Sequence, residues 1–195
     1  MRKIFGLVLA GGQSRRMGQD KALIEHDGES QLARTARILG QQVDDVYVSA
    51  RSSQVNDAER ARFPLIVDRF ADMGPVAGIL SAMLEHPDVD WLIVACDMPG
   101  IDTPTIANLL ANRECTQPIV AYRSSYDGLP EPLCAIYKPE SRNIIEQFVA
   151  GGIHCPRKML IEADTLLLDP LNPRSLDNLN TPTELQEFRT GQRRT

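Results

Sequence analysis

Glycines and cationic side chains lie close together in residues 9–24, LAGGQSRRMGQDKALI. Gly11 and Gly12 have no side chains, so a ligand can approach their backbone N–H groups, and Arg15 and Lys21 add positive charge nearby. Exposed N–H groups and fixed cations both stabilise a polyanion. The spacing predicts a loop that holds a triphosphate, and the alternative is a glycine-rich surface turn with solvated arginines.

Two well-known phosphate-binding patterns do not fit this loop. A P-loop requires lysine directly after its second glycine, whereas Gln19 and Asp20 separate Gly18 from Lys21. The dinucleotide pattern G-x-G-x-x-G is also absent from the segment. If the loop binds a triphosphate, it therefore does so with a different arrangement of glycines and cations.

Two carboxylates follow apolar runs that we predict to be strands. Asp68 follows residues 65–67, and Asp97 comes shortly after residues 91–95. Ligands of α/β sheets collect beyond the carboxyl ends of the strands, and a carboxylate there can hold Mg²⁺ against phosphate oxygens. We therefore expect Asp97 to bind metal and Asp68 to face the nucleotide. The alternative for both is an ordinary turn carboxylate.

Apolar runs and segments with helical spacing alternate along the chain, which predicts an α/β fold with parallel strand pairs. We expect the run at 91–95 to be the central strand because it is the most hydrophobic. Predicted strands cover residues 4–9, 46–50, 65–67, 91–95, 119–122, 133–137 and 166–168. Predicted helices cover 30–41, an exposed charged segment at 57–62, a helix that begins at Gly74 and Pro75, and residues 143–149 and 157–163.

The composition is that of an ordinary globular protein. Among 195 residues, 43% are hydrophobic and 24% are charged, which predicts one domain at 1–188 and a disordered tail at 189–195. A net charge of −5 gives no reason to expect nucleic acid or a membrane as a partner, since both favour a basic surface. The four cysteines are scattered without a zinc or disulfide pattern, so we expect a cytoplasmic protein.

The opening motif resembles that of the molybdenum cofactor guanylyltransferases, a family of nucleotidyltransferases. The similarity lies in LAGG at 9–12, SRRMG at 14–18 and DKAL at 20–23. It implies a three-layer α/β/α Rossmann-like nucleotidyltransferase fold with a mostly parallel sheet and one antiparallel strand. The implied reaction is Mg²⁺-dependent transfer of GMP from GTP to the phosphate of molybdopterin, with release of pyrophosphate. Partners implied in the same way are GTP, molybdopterin or the molybdenum cofactor, and cofactor-carrier or recipient molybdoenzymes.

The resemblance also assigns roles to individual residues. It implies that Arg15, Lys21 and Asp97 serve catalysis, with Asp97 as the Mg²⁺ ligand. The residues that it places around the nucleotide are Leu9, Ala10, Gly11, Gly12, Ser49, Asp68, Gly78, Asn178 and Asn180. In the second half of the chain, Glu131 matches a family segment near the second substrate. Apart from the resemblance, the basic pair Arg157 and Lys158 is a candidate contact for the acceptor phosphate. The alternatives are an edge-strand charge at Glu131 and a solvated helix face at the basic pair.

The choice of base is the open point. The glycine pair and the closing asparagines resemble the guanylyl enzymes, but Ser49 stands where the best-known of them have asparagine. A hydroxyl cannot make the paired contacts of an amide. A cytidylyltransferase of the same cofactor and a sugar-phosphate nucleotidyltransferase therefore remain as alternatives. A third reading is a nucleotide-binding module without chemistry.

Overall fold

In the part of the chain that the structure describes, seven strands form one sheet with helices on both faces. The structure is a computed structural model, and it describes residues 2–12, 20–26 and 28–178. The strands are β1 (Ile4–Leu9), β2 (Glu25–His26), β3 (Glu29–Ser30), β4 (Asp45–Ala50), β5 (Leu65–Val67), β6 (Asp90–Ala95), β7 (Ile119–Arg123), β8 (Pro130–Tyr137) and β9 (Thr165–Leu168). The helices are α1 (Gln31–Gly40), α2 (Pro75–Glu85), α3 (Thr103–Ala111), α4 (Ser141–Ala150) and α5 (Pro156–Glu162).

The strand order confirms the predicted fold class. The sheet runs β5-β4-β1-β6-β8-β7-β9, so β6 is its central strand, and β2 and β3 form a separate small hairpin. Strand β8 is antiparallel to both neighbours, β6 and β7, while the other neighbouring strands of the sheet are parallel. The sheet is therefore mostly parallel with one antiparallel strand, as the sequence predicted. Strands from both halves of the chain belong to it.

Alternating side chains of the central strand pack into two separate cores. Leu92 and Val94 join the core that is formed with α1 and α3, while Trp91 and Ile93 join the core formed with α2, α4 and α5. All four side chains are completely buried. A strand that is covered on both faces needs a continuous apolar run, which explains the sequence WLIVA. The two cores hold the carboxyl end of β6 rigidly in the middle of the molecule.

The prediction of an exposed helix at residues 57–62 is wrong. The segment forms turns that end in a short 3₁₀ helix, Arg60–Arg62. The Arg62 side chain is 62% exposed, as expected, but that of Arg60 is only 1% exposed. The physical reason is that Arg60 points inward and pairs with residues near the start of the chain.

None of the helices that the structure describes has both the length and the apolar composition needed to span a bilayer. The predicted tail at 189–195 lies outside the described residues.

Replacing Leu92 by alanine is expected to destabilise the whole sheet, because it removes a completely buried side chain from the central strand. We expect the free energy of unfolding to fall by about 2–5 kcal/mol. The matched control is Leu171→Ala, at a leucine that is 64% exposed, where the change should stay within about 0.5 kcal/mol. Urea denaturation of both variants measures the difference, and equal losses would contradict the placement of Leu92.

Candidate active site

A cleft with a volume of about 800 Å³ opens at the carboxyl ends of β1, β4, β5 and β6. This is the edge of the sheet at which α/β proteins bind ligands. Most of the predicted site residues line it, namely Leu9, Ala10, Gly11, Gly12, Lys21, Ser49, Asp68, Gly78 and Asp97. The fold thus brings together residues that are up to 88 positions apart in the sequence.

Three of the predicted residues are not among those that line the cleft. Arg15 and Asn180 lie outside the residues that the structure describes. Asn178 is half-buried, and its Oδ1 atom is buried without a hydrogen-bond partner in the described part of the chain. The structure does not place it against the cleft, and the predicted roles of all three stay predictions.

Two glycines allow the walls of the cleft to approach each other. A Cβ atom on Gly78, in the first turn of α2, would lie 2.5 Å from Ser49 Oγ and 2.9 Å from Leu9 Cδ2. A Cβ on Gly11 would lie 3.1 Å from Asp68 Oδ2. All three distances are too short for ordinary contacts, so these two positions need glycine if the neighbouring side chains keep their places. Around Gly12, by contrast, no atom of the described residues lies within 4 Å of the Cβ position.

Ser49 and Asp68 form a polar pair on the wall beside these glycines. The Ser49 hydroxyl donates a hydrogen bond of 2.7 Å to Asp68 Oδ1, and Ser49 is only 2% exposed. Burial raises the pKa of Asp68, while the hydrogen bond from Ser49 and the charge of Arg51 act in the opposite direction. A carboxylate has acceptor sites for several donors, so Asp68 keeps the capacity to accept hydrogen bonds from a ligand.

Lys21 and Asp97 form an ion pair on the opposite side of the loop. Lys21 Nζ lies 3.0 Å from Asp97 Oδ2, and the two side chains are 15% and 24% exposed. Lys21 begins a short 3₁₀ helix that Asp20 caps by accepting the N–H of Ala22 through Oδ1. Asp97 follows the buried central strand after one cysteine. The Lys21 ammonium and the Asp97 carboxylate are therefore close enough together to contact the same polyanion.

Asp97, the residue predicted to bind metal, is one of the carboxylates that line the cleft. The described residues contain no group of three or more histidine, cysteine, aspartate or glutamate side chains suited to hold a metal by themselves. Mg²⁺ is commonly held by one or two carboxylates together with substrate phosphates and water. The donor set of the cleft therefore fits a divalent metal that binds together with a triphosphate.

Cys96, the neighbour of Asp97, is not suited to covalent catalysis. Its thiol is buried, and burial raises its pKa well above the usual range, with the charge of Asp97 acting in the same direction. A thiol must ionise to act as a nucleophile. The chemistry of the cleft therefore rests on charge and position.

The second half of the chain places an ion-pair cluster at the end of β8. Arg157 on α5 binds Asp127 at 2.9 Å and Glu131 at 3.2 Å, and the other Glu131 oxygen accepts the N–H of Leu133. Burial raises the pKa of Glu131. Because β8 lies between β6 and β7, the reading of Glu131 as an edge-strand charge is wrong. Arg157 is two-thirds buried and bound to two carboxylates, so it does not lie on a solvated helix face.

Comparison with known proteins identifies the family. The model of the MobA-like NTP transferase domain matches residues 6–165, which is most of the chain. The chain belongs to the MobA-like NTP transferase family. The match begins in β1 and ends in β9, so it includes the elements that form the cleft.

Individual relatives agree with this family. A molybdenum cofactor guanylyltransferase from Pseudomonas fluorescens is 33% identical over 92% of this chain and 90% of its own length. A molybdenum cofactor biosynthesis bifunctional protein from Synechocystis is 37% identical over 93% of this chain, which spans about half of that relative's length.

A solved structure agrees with the fold. The structure of molybdopterin-guanine dinucleotide biosynthesis protein A from Archaeoglobus fulgidus superimposes with a TM-score of 0.78 at 21% identity, covering 94% of this chain and 95% of that one. This structure confirms the MobA-like fold. The family match and the guanylyltransferase relatives confirm the enzyme class, nucleotidyltransferase.

Sequence reasoning missed several residues of this MobA-like cleft. Arg51, Ser52 and Ser53 line it next to Ser49, and the charge of Arg51 partly offsets the rise in the pKa of Asp68 that burial causes. Their position directly after a predicted strand is the signal that pointed to Asp68 and Asp97 and was not applied to them. Arg60 gave no such signal because its charged surroundings resemble a solvated segment.

A side chain at position 78 is expected to disturb the cleft, because the added Cβ would clash with Ser49 and Leu9. We expect Gly78→Ala to lower the free energy of unfolding by about 1–3 kcal/mol. Gly12→Ala is the matched control, since among the residues that the structure describes no atom lies within 4 Å of its Cβ position, and its stability should change by no more than about 0.5 kcal/mol. Thermal and urea unfolding provide the measurement, and a Gly78→Ala protein as stable as the control would refute the close approach.

Proposed function

We propose that this chain transfers GMP from GTP to the phosphate of molybdopterin, with Mg²⁺, to give the guanine dinucleotide cofactor and pyrophosphate. A phosphate oxygen of the acceptor forms a bond to the α-phosphorus of GTP. The bond from that phosphorus to the oxygen that bridges to the β-phosphate breaks, and its electron pair leaves with pyrophosphate. The names of relatives that match nearly the whole chain support this choice of reaction.

The observation that carries the proposal is the ion pair between Lys21 and Asp97 beside the glycines of the loop. A triphosphate needs cations, and a metal that accompanies it needs an oxygen ligand. Lys21 and Asp97 supply one of each within 3.0 Å. Gly11 and Gly12 border the same space with accessible backbone. A regulatory module without chemistry would have no need of the carboxylate at this place.

The residues of the chain act by position and charge. We assign the backbone N–H groups of residues 10–12 to the nucleotide, Lys21 and Arg15 to its phosphates, and Asp97 to the metal. A bound divalent metal would neutralise phosphate charge and stabilise the leaving pyrophosphate. Nucleotidyl transfer depends on alignment and charge neutralisation more than on a covalent nucleophile. The raised pKa of Cys96 agrees with a mechanism that uses no thiolate.

Base recognition is assigned to the wall formed by Ser49, Asp68 and Gly78. Guanine presents two adjacent donors on its pairing edge, its ring N–H and its amino group, and a carboxylate can accept both. Cytosine offers only its amino group as a donor on that edge. The hydrogen bond from Ser49 fixes the orientation of Asp68 instead of contacting the base as an asparagine would. This arrangement favours guanine through Asp68 and explains how a serine can occupy position 49.

The other partners and the compartment follow from the reaction. Molybdopterin is the acceptor, and carrier or recipient molybdoenzymes are the expected partners on either side of the step. All four cysteines are unpaired, which agrees with a reducing compartment such as the cytoplasm.

Removing either member of the central ion pair is expected to abolish turnover. Lys21→Ala and Asp97→Ala should each lower pyrophosphate release from GTP, with Mg²⁺ and molybdopterin present, by about 100-fold or more. The matched control is Lys3→Ala, an exposed lysine at the amino end of β1 that is remote from the cleft, and its turnover should equal that of the native protein. Near-normal turnover in either variant would remove that residue from the mechanism.

The native protein is expected to bind GTP more tightly than CTP or UTP, as measured by calorimetry. Asp68→Asn should weaken GTP binding by at least about tenfold, because an amide cannot accept two hydrogen bonds from adjacent donors as a carboxylate does. Asp88→Asn, at an exposed aspartate beyond α2, should change nothing. Preference for CTP in the native protein would favour the cytidylyltransferase reading and overturn the guanylyl assignment.

A further inference from the structure

Arg60 is a fully buried cation in a charged segment whose neighbours Asp57 and Glu59 are partly buried and whose Arg62 is exposed. Its side chain is 1% exposed. One terminal nitrogen, Nη2, donates to the carbonyl oxygen of Ala10 at 2.7 Å and to Asp20 Oδ2 at 2.7 Å. The other, Nη1, lies 3.3 Å from Asp57 Oδ1. A buried charge of this kind is costly unless it is paired and hydrogen-bonded, and here it is both.

The two residues that share Nη2 flank the glycine-rich loop. Ala10 directly follows β1 and comes before Gly11, whereas Asp20 comes directly before Lys21. They are ten positions apart in the sequence, yet both bind the same nitrogen. Arg60 itself lies 40 positions beyond Asp20. A residue distant in sequence therefore joins the two ends of the loop.

Asp20 transmits this constraint to the ion pair of the cleft. Its Oδ1 accepts the N–H of Ala22 and caps the short 3₁₀ helix, while its Oδ2 accepts from Arg60. Lys21 is the first residue of that helix and binds Asp97 at 3.0 Å. The orientation of Asp20 thus determines where the helix starts and where the Lys21 side chain leaves the backbone.

We propose that Arg60 is a positioning residue for triphosphate binding, which sets the distance between the Ala10 and Asp20 ends of the loop and thereby places Lys21. The proposal rests on the proposed function in that the ligand is a nucleoside triphosphate, but it does not depend on the base. Arg60 itself is not among the residues that line the cleft. It acts through Asp20 and through the peptide group of Ala10.

The geometry requires arginine rather than any cation. The planar guanidinium presents several N–H donors at fixed angles, so Nη2 can serve two acceptors while Nη1 faces Asp57. A lysine has a single ammonium group at the end of a flexible chain, and it cannot reach these three acceptors in the same directions. Arg60→Lys should therefore keep the buried charge but lose the linkage of the two ends.

The experiment compares Arg60→Lys with Arg62→Lys, its neighbour in the same 3₁₀ helix. Arg62 is 62% exposed, binds Glu59 and lies over the ring of Phe63, and it contacts neither Ala10 nor Asp20, so its variant is a matched control. Calorimetry with GTP, CTP and GMP measures the affinity for the triphosphate apart from that for the base and sugar. Hydrogen exchange at the amides of Ala22 and Leu23 measures the order of the Asp20 helix without any nucleotide.

Arg60→Lys is expected to weaken binding of the preferred triphosphate by about tenfold, a loss of about 1.4 kcal/mol in binding free energy. The affinity for GMP should fall less. Amide hydrogen exchange at Ala22 and Leu23 should accelerate, while exchange in β6 stays unchanged. Arg62→Lys should match the native protein in all readouts. Asp20→Asn should reproduce the defect, and combining it with Arg60→Lys should add little, because both act on one linkage.

The outcomes separate this proposal from the guanylyl assignment. If CTP is the preferred nucleotide but Arg60→Lys still weakens it, the assignment of guanine fails and the role of Arg60 stands. If Arg60→Lys binds the preferred triphosphate as tightly as Arg62→Lys does and exchange at Ala22 is unchanged, the positioning role is overturned. Equal losses of GTP and GMP with faster exchange in β6 would show a general loss of stability and would also overturn it.

Discussion

The parallel pairing of β1 with β4 on one side and β6 on the other is the constraint on which the cleft depends. In this register Leu9 lies beside Ser49 on one neighbour and beside Ala95 on the other. Because parallel strands end at the same edge, the loop after β1 must leave the sheet between Ser49 and Asp97. A shift by one residue would exchange the two faces of β1 and would bury different side chains in both cores. The strand register that packs both hydrophobic cores is therefore also the register that places the site.

Two further features shape the cleft at this edge of the sheet: glycines that let side chains lie close to the backbone, and polar side chains that are buried. Glycine at positions 11 and 78 allows Asp68 and Ser49 to come near the backbone. Asp68 is half-buried there, and Ser49 is buried. Burial disfavours the charge of Asp68, as the raised pKa indicates. Such a carboxylate gains more from new hydrogen-bond donors than one in water does, because they replace solvation that it has already lost. The wall is thus prepared to bind a ligand with donors.

Most of the fold was predictable from the sequence, because its signals are local. The strand at 4–9 and the buried run at 91–95 are apolar in a way that only covered strands need, and both predictions are confirmed. The glycines of the loop and the carboxylate Asp97 were found because motif spacing and strand ends are visible in a linear sequence. These signals predicted part of the lining of the cleft, whereas Arg51, Ser52 and Ser53 were missed.

The remaining features depend on contacts between distant residues. Nothing in the residues around Arg60 indicates that its side chain turns inward, since Asp57, Glu59 and Arg62 make the segment look like a solvated surface. The pairing of Arg157 with Glu131 spans 26 positions and depends on how α5 packs against β8. Likewise, the partner of Ser49 became evident only when β4 and β5 were seen side by side. A substitution such as asparagine to serine cannot be interpreted without that neighbour.

Asp20 and Lys21 are neighbours in the chain, and each forms an ion pair, Asp20 with Arg60 and Lys21 with Asp97. The two pairs differ in burial, and this difference suits them to different tasks. The pair between Arg60 and Asp20 involves a guanidinium that is 1% exposed, so separating it would remove the shortest ion pair of a buried charge. The pair between Lys21 and Asp97 faces the cleft, where water reaches both side chains and lowers the cost of separating them. In the proposed reaction, an incoming polyanion would therefore attract Lys21 away from Asp97 and free the carboxylate for a metal at little cost. Because Arg60 holds Asp20, the backbone from which Lys21 extends would keep its place during this exchange.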